Sequence, residues 1–208
     1  MITAKDLYTR LQHVKIGGTT CVYSMEKCES YIPTIQRIQE LKKEKNAIIL
    51  AHSYVSPEVL YSVSDFFGDS YELSKKAKST DADIVVFAAV KFMAETAKLL
   101  NPEKEVLVPS QFNGCSLADS ITADDVRRMR ETYPDHTFVC YINTTADVKA
   151  ECDVCVTSSN VYDIVETIDK DLQEGNVVFL PQGMVNAAWS SLSGQENIIS
   201  PTITKTIK

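Results

Sequence analysis

Ala47-Ile48-Ile49-Leu50-Ala51-His52-Ser53-Tyr54 decides the fold: an unbroken apolar run ends in a polar exit. A short run with no polar alternation suits a strand buried on both faces of a parallel sheet. Upstream, Ile35, Ile38 and Leu41 recur at helical spacing as far as Lys45, with Gln, Arg, Glu and Lys on the other faces. Downstream, Ser56-Pro57-Glu58 opens a helix with a cap residue and proline at the first position, and that helix is expected to end near Phe66-Phe67-Gly68.

The same grammar continues. Asp69-Ser70 caps a helix through Leu73 and Ala77, and Asp83 to Ala88 is a second buried strand. Phe92 to Leu100 is rich in helix formers and is closed by Asn101-Pro102, a third strand runs from Glu105 to Val108, and Asp124 to Tyr133 is helical until Pro134. Then the order recurs. Thr137 to Thr144 matches Ile48 to Tyr54, Cys152 to Ser159 matches Ala82 to Ala89, and Asn176 to Gln182 matches Glu105 to Gln111. This is a weak internal repeat of about 70–90 residues, a duplicated α/β module whose second copy lacks one helix. Right-handed crossovers make each copy a small parallel sheet with helices on its faces, a three-layer α/β module.

Composition sets the bounds. The chain has 208 residues, 44% hydrophobic and 24% charged, as in a soluble globular protein. A net charge of −7 argues against nucleic acid or an anionic membrane as the main partner. No stretch approaches the roughly 18 apolar residues of a membrane span, and Met1 to Asp6 lacks an export signal. The expected location is the cytoplasm, where thiols stay reduced and a disulfide framework is not expected.

Strand exits are where open α/β sheets bind ligands. Here they are His52-Ser53-Tyr54, Gly114-Cys115, Tyr141-Ile142-Asn143 and Thr157-Ser158-Ser159. Two modules facing each other would gather these groups in one crevice. Cys115 follows an apolar strand, Pro109 and a polar turn, and Gly114 leaves room for close approach. On these grounds alone it is a nucleophile, a metal ligand or a bystander.

The motifs also carry a resemblance. Ala51-His52-Ser53-Tyr54, Gly68-Asp69-Ser70-Tyr71-Glu72-Leu73-Ser74, Phe92-Met93-Ala94-Glu95-Thr96-Ala97-Lys98, Gly114-Cys115-Ser116-Leu117-Ala118-Asp119-Ser120, Tyr141-Ile142-Asn143-Thr144 and Val156-Thr157-Ser158-Ser159-Asn160 occur in the order seen in the quinolinate synthase family. The similarity covers roughly residues 30–182. It implies two of that family's three α/β domains, in which each domain gives one cysteine to a [4Fe–4S] cluster. The implied reaction is condensation of iminosuccinate with dihydroxyacetone phosphate to quinolinate, in de novo NAD biosynthesis. L-aspartate oxidase is the implied supplier of iminosuccinate. By the same resemblance His52, Tyr54 and Tyr141 are acid–base groups. Ser70, Ile142, Asn143 and Ser158, together with His52 and Tyr141, bind substrate. Cys115 is the cluster ligand. Three thiolates leave one iron open as a Lewis acid.

The chain departs from the family after about Pro181. Where the family carries Trp-Pro-Gly-x-Cys, this chain reads Ser200-Pro201-Thr202-Ile203-Thr204, and no cysteine follows Cys155. The expected division is a leader over 1–30, a first domain over 31–122 and a second over 123–208, divergent after 182, with the third domain absent. One thiolate does not hold a four-iron cluster against competing thiols. The alternative reading is therefore a cluster-less, shortened homologue that binds small dicarboxylates or phosphates without catalysis.

The other candidates have plainer readings. Cys152-Asp153-Val154-Cys155 resembles a redox pair, but alternation along one strand would send its thiols to opposite faces, which favours packing. Cys140 reads as core, Cys21 and Cys28 as incidental, and His13 and His136 as exposed. Glu95 and Lys98 fit an ordinary helical ion pair.

Overall fold

Thr3 starts the first helix. Its hydroxyl accepts from the Asp6 N–H at 3.2 Å, and the Asp6 carboxylate accepts from the Thr3 N–H at 3.0 Å, a reciprocal cap on α1 (Ala4–Leu11). The computed structural model describes residues 2–16, 19–20, 23–157, 159–172, 177–180 and 198–199. Its contacts divide the chain into two units, Met1–Asn113 and Gly114–Lys208.

In the first unit, β1 (Lys15–Ile16) and β2 (Thr19–Thr20) form an antiparallel pair ahead of α2 (Met25–Glu44). Helix α2 begins ten residues before the periodicity that announced it, because Ser24 caps it by accepting from the Lys27 N–H at 3.1 Å. Pro33 lies inside it and removes one helical donor. Burial of Cys28 and Ile35 against Leu7 and Leu11 of α1 holds the helix through that gap. Residues read as a leader thus carry part of the first core: Tyr23 also donates to Glu58 at 2.6 Å, and Arg10 to the Tyr61 carbonyl at 2.9 Å.

Then follow β3 (Ala47–His52), α3 (Pro57–Leu60), β4 (Phe66–Gly68), α4 (Ser70–Ser79), β5 (Ile84–Ala88), α5 (Lys91–Leu100) and β6 (Glu105–Leu107). The helix opened by Pro57 is a single turn, and Phe66-Phe67-Gly68 is not its end but a short edge strand beside β3. The sheet order is β4-β3-β5-β6, all parallel. The second unit contains a 3₁₀ turn at Ala118–Ser120, α6 (Ala123–Thr132), β7 (Thr137–Tyr141), α7 (Ala146–Ala150), β8 (Val154–Val156), α8 (Val161–Leu172), β9 (Val177–Leu180) and β10 (Ile198–Ile199). Its order is β10-β9-β7-β8, again all parallel. Counted from the first strand of each sheet, both orders are second, first, third, fourth.

The repeat is therefore present, with a corrected alignment. β7 corresponds to β3, β8 to the edge strand β4, and β9 to β5. Polar ties prove the match. Asp65 accepts from the Ile49 N–H at 2.8 Å and from Lys42 at 2.6 Å. Asp153 accepts from the Phe138 N–H at 2.8 Å and from Arg130 at 2.8 Å. Lys42 also donates to the Val63 carbonyl, as Arg130 does to that of Glu151. Each aspartate thus pins the first strand to the edge strand, and a cation from the preceding helix pins the aspartate. A backbone N–H left without such a partner in a half-buried place costs about 1–3 kcal/mol. The second copy does not lack a helix among the matched elements: α7 stands for α3 and α8 for α4. The segment between β9 and β10 lies outside the described residues.

Both units are three-layered. In the second, Val139, Val156 and Val177 face Val161 and Val165 of α8, while Phe138 and Val178 face Val126 of α6 and Val148 of α7. In the first, Ile49 and Ala51 share a cluster with α1, α2 and α3, and the alternate residues Leu50, Val85 and Phe87 are buried on the other side, where α4 packs on β3 and α5. Among the described residues no helix is long and apolar enough to cross a membrane.

Candidate functional site

Strand β3 delivers His52, and the chain turns at once: the Ser53 N–H donates to the Gly68 carbonyl at 3.0 Å and the Val55 N–H to the His52 carbonyl at 2.9 Å. The Tyr54 N–H donates to His52 Nδ1 at 3.4 Å, and the two rings lie 4.0 Å apart between centroids. With Nδ1 accepting, the neutral imidazole carries its proton on Nε2 and can donate there. Burial lowers the His52 pKa from 6.5, and the Asp69 carboxylate partly opposes it. Tyr54 is 56% exposed. Its hydroxyl accepts from the Val90 N–H at 3.1 Å, at the cap of α5, and lies 4.0 Å from Met93 Sδ.

A proton-detected NMR titration of His52 is expected to give a midpoint below 6.5, and Asp69→Asn to lower it further by removing the charge that opposes burial. Because the folded value is lowered, the stability linked to neutral His52 is complete above 6.5 and is lost as pH falls through the folded midpoint. A midpoint above 6.5, or a rise in Asp69→Asn, contradicts this account.

The second exit of this unit lies at Gly68. Asp69 accepts from the Glu72 N–H at 2.9 Å and its own N–H donates to Glu72 at 3.4 Å, which starts α4 at Ser70. A β-carbon on Gly68 would sit 2.4 Å from Glu72 Oε2, so glycine leaves the space the carboxylate fills. The Ser70 side chain lies outside the described residues.

The second unit repeats this arrangement with neutral groups. Tyr141 ends β7 where His52 ends β3, and the Ile142 N–H donates to the Val156 carbonyl at 2.8 Å, as Ser53 does to Gly68. The backbone N–H of Ile142 is thus already committed. Tyr141, Ile142 and Asn143 are all half-buried. The buried Thr144 donates to the Tyr141 carbonyl at 2.8 Å and fixes the turn. Thr157 and Asn160 take the places of Asp69 and Glu72: the Thr157 N–H donates to Asn160 Oδ1 at 2.7 Å. Ser158 lies outside the described residues.

Cys115 is half-buried and belongs to the second unit. Its carbonyl accepts from the Asp119 N–H at 2.8 Å, and a β-carbon on Gly114 would lie 2.9 Å from Asp119 Oδ2. The glycine before the thiol therefore accommodates the carboxylate of Asp119, five residues further along the chain. Among the described residues no group of three Cys, His, Asp or Glu is arranged to hold a metal ion. Cys115 alone does not fit a [4Fe–4S] cluster, which takes three or four protein ligands.

The remaining candidates resolve simply. Glu95 meets Lys91 at 3.5 Å, whereas Lys98 donates to the carbonyls of Pro102 and Lys104 beyond the end of α5. Cys28 and Cys140 are fully buried, and Cys21 lies outside the described residues. His13 is exposed, whereas His136 is half-buried against Tyr133. Cys152 and Cys155 do not point to opposite faces. Cys152 precedes β8 and packs on the Phe138 side, and Cys155 alternates with Val154 and Val156, which face Val139. Both thiols therefore share the face of Cys140.

A family model described as quinolinate synthetase A protein matches residues 36–202. A quinolinate synthase of Aquifex aeolicus is 53% identical over 165 residues, covering 79% of this chain and 50% of its own length. One from Sinorhizobium fredii is 53% identical over 142 residues, covering 68% of this chain and 40% of its own. One from Xylella fastidiosa is 54% identical over 169 residues, 76% of this chain and 50% of its own. The chain thus spans about half or less of the length of these relatives.

Proposed function

This chain belongs to the quinolinate synthetase A family, and from that membership we propose that it forms two modules of a quinolinate synthase. The proposed reaction condenses iminosuccinate with dihydroxyacetone phosphate to quinolinate, for NAD biosynthesis in the cytoplasm, and is assigned to a polypeptide of the relatives' full length. The division into 1–30, 31–122 and 123–208 belongs to this proposal as the family's own division, with 1–30 packed on the first domain and the boundary drawn nine residues after the contact boundary at Asn113. The observation that carries it is the family match across both repeats, with His52 and Tyr141 at equivalent strand ends.

The roles follow from chemistry. His52, neutral at pH 7 with a donor at Nε2, supports a developing enol oxygen by hydrogen bonding and then proton transfer. Tyr54, whose ring lies against that of His52, is its phenolic partner in the first unit, and Tyr141 is the acid–base group at the equivalent strand end of the second. Ser70, Asn143 and Ser158 offer short neutral donors to carboxylates, and Ile142 sets the turn that presents Asn143. The uncharged Thr157–Asn160 pair at the start of α8 suits an anion better than the Asp69–Glu72 pair at the start of α4. In a full-length enzyme Cys115 would hold one corner of the cluster, whose open iron supplies Lewis acidity when bound.

A second reading rests on the ligand count. With Cys115 as the one family cluster ligand in its sequence, this chain binds small dicarboxylates or phosphates without turnover. Both readings require anion binding at the strand exits. Calorimetric titration of quinolinate into the chain tests that requirement, with Asn143→Ala as the weakened variant. No heat of binding at millimolar quinolinate removes the second reading, and removes from the first the claim that these strand exits bind the product without the rest of the relatives' length.

A further inference from the structure

We propose that Cys140 and Cys155 form an oxidisable dithiol that closes into a cross-strand disulfide tying β7 to the edge strand β8. The two residues are direct register partners in neighbouring parallel strands. Strand spacing puts their α-carbons about 4.8 Å apart, inside the range that a disulfide spans. Both side chains lie on the Phe138 face, and the Cys155 thiol meets that of Cys140. Cys140 also contacts the Cys152 thiol. The sequence motif Cys152-x-x-Cys155 therefore names one correct member of the pair and one wrong one.

The surroundings set how the pair reacts. Contact with the Cys152 thiol raises Cys140, contact with Cys155 draws it back and burial raises it again, to about 12. Contact with Cys140, and then burial, pushes Cys155 up, while Lys149 draws it back. Cys155 is exposed as a residue, yet its sulfur meets a fully buried neighbour, so contact rather than exposure governs its proton. Such thiols react slowly at neutral pH, and as poor leaving groups they make a disulfide that thiols reopen slowly.

The oxidant is a low-molecular-weight disulfide. The Cys155 thiolate attacks one of its sulfurs and expels the first small thiolate. Cys140, on losing its proton, attacks Cys155 Sγ and expels the second. Two electrons and two protons leave the protein with the two small thiols. The product fixes β8, which pairs only with β7 among the described strands, and its cysteines stand one residue before Tyr141 and two before Thr157 in sequence, at the ends of β7 and β8.

The test is peptide mapping of the folded chain after incubation with oxidised glutathione at pH 8.5, without reductant. Trypsin places Cys140 in Glu131–Lys149 and places Cys152 with Cys155 in Ala150–Lys170. The expected product is a cross-link between those peptides, lighter by two hydrogens, kept in Cys152→Ser and lost in Cys155→Ser. The oxidised chain should melt at a higher temperature, and circular dichroism should show each variant folded. A loop within Ala150–Lys170, joining Cys152 to Cys155, overturns the assignment. So does a folded chain in which only Cys115 is modified. Neither outcome bears on quinolinate binding, so failure here is distinct from failure of the proposed function.

Discussion

Phe138→Ala is expected to destabilise the second unit by about 3–5 kcal/mol, the usual cost of emptying a buried phenylalanine site. Phe138 is fully buried among Ile121, Val126, Val148 and Val178, which come from different elements around the sheet. The Arg130 guanidinium lies 4.4 Å from its ring centre, and Asp153 accepts its N–H. Truncation therefore opens a cavity where core, cation and strand tie converge, with little freedom to collapse. For a unit of this size the melting midpoint should fall by about 10 °C or more. The first unit has its own core around Leu50 and Phe87, so its transition should stay near the parent value. Scanning calorimetry with separate fluorescence reporters would show this; a shift below about 1 kcal/mol would mean that Phe138 is not at the centre of a packed core.

Asn143→Ala is expected to weaken quinolinate binding about tenfold to a hundredfold, as loss of a hydrogen bond to a charged group costs about 1.5–3 kcal/mol. Asn143 is half-buried in a turn held by Thr144 and by the Ile142–Val156 hydrogen bond. The backbone should therefore keep its shape when the amide is removed, and the melting midpoint should move little. Equal affinity in the variant and the parent would place the dicarboxylate elsewhere. Loss of affinity together with a large fall in the midpoint would mean that Asn143 supports the turn instead of the ligand.

Much of this architecture is legible in the chain, and the failures have physical causes. Ala47 to Ala51 is apolar throughout because β3 is covered on both faces, and a reader of composition finds it. Phe66-Phe67-Gly68 is different: it is three residues long, at an edge, with Phe67 47% exposed, so nothing local separates it from a helix end. A repeat drawn without this strand is out by one strand, since Val154–Val156 resembles any buried strand in hydrophobicity. The true alignment is carried by Asp65 with Lys42 and Asp153 with Arg130, single polar residues whose partners are distant in sequence.

The site divides in the same way. His52 and Tyr141 were visible as polar endings of apolar runs. The Tyr54 hydroxyl capping the Val90 N–H was not, because it joins segments 36 residues apart. Asp119 over Gly114 escaped for a simpler reason: glycine invites many neighbours and the sequence does not say which one arrives. Strand alternation puts Cys152 on the wrong face because Cys152 precedes β8 and does not follow its pleat.

The central proposal is that the strand exits of this chain bind a dicarboxylate by themselves, while Cys115 is the cysteine in it that the resemblance assigns to a cluster. Anaerobic reconstitution with iron and sulfide, followed by gel filtration and iron analysis, tests it most directly. The account predicts no stable four-iron species on this chain, with quinolinate binding intact in the same preparation. A brown species holding about four irons per chain, and lost in Cys115→Ser, would contradict it.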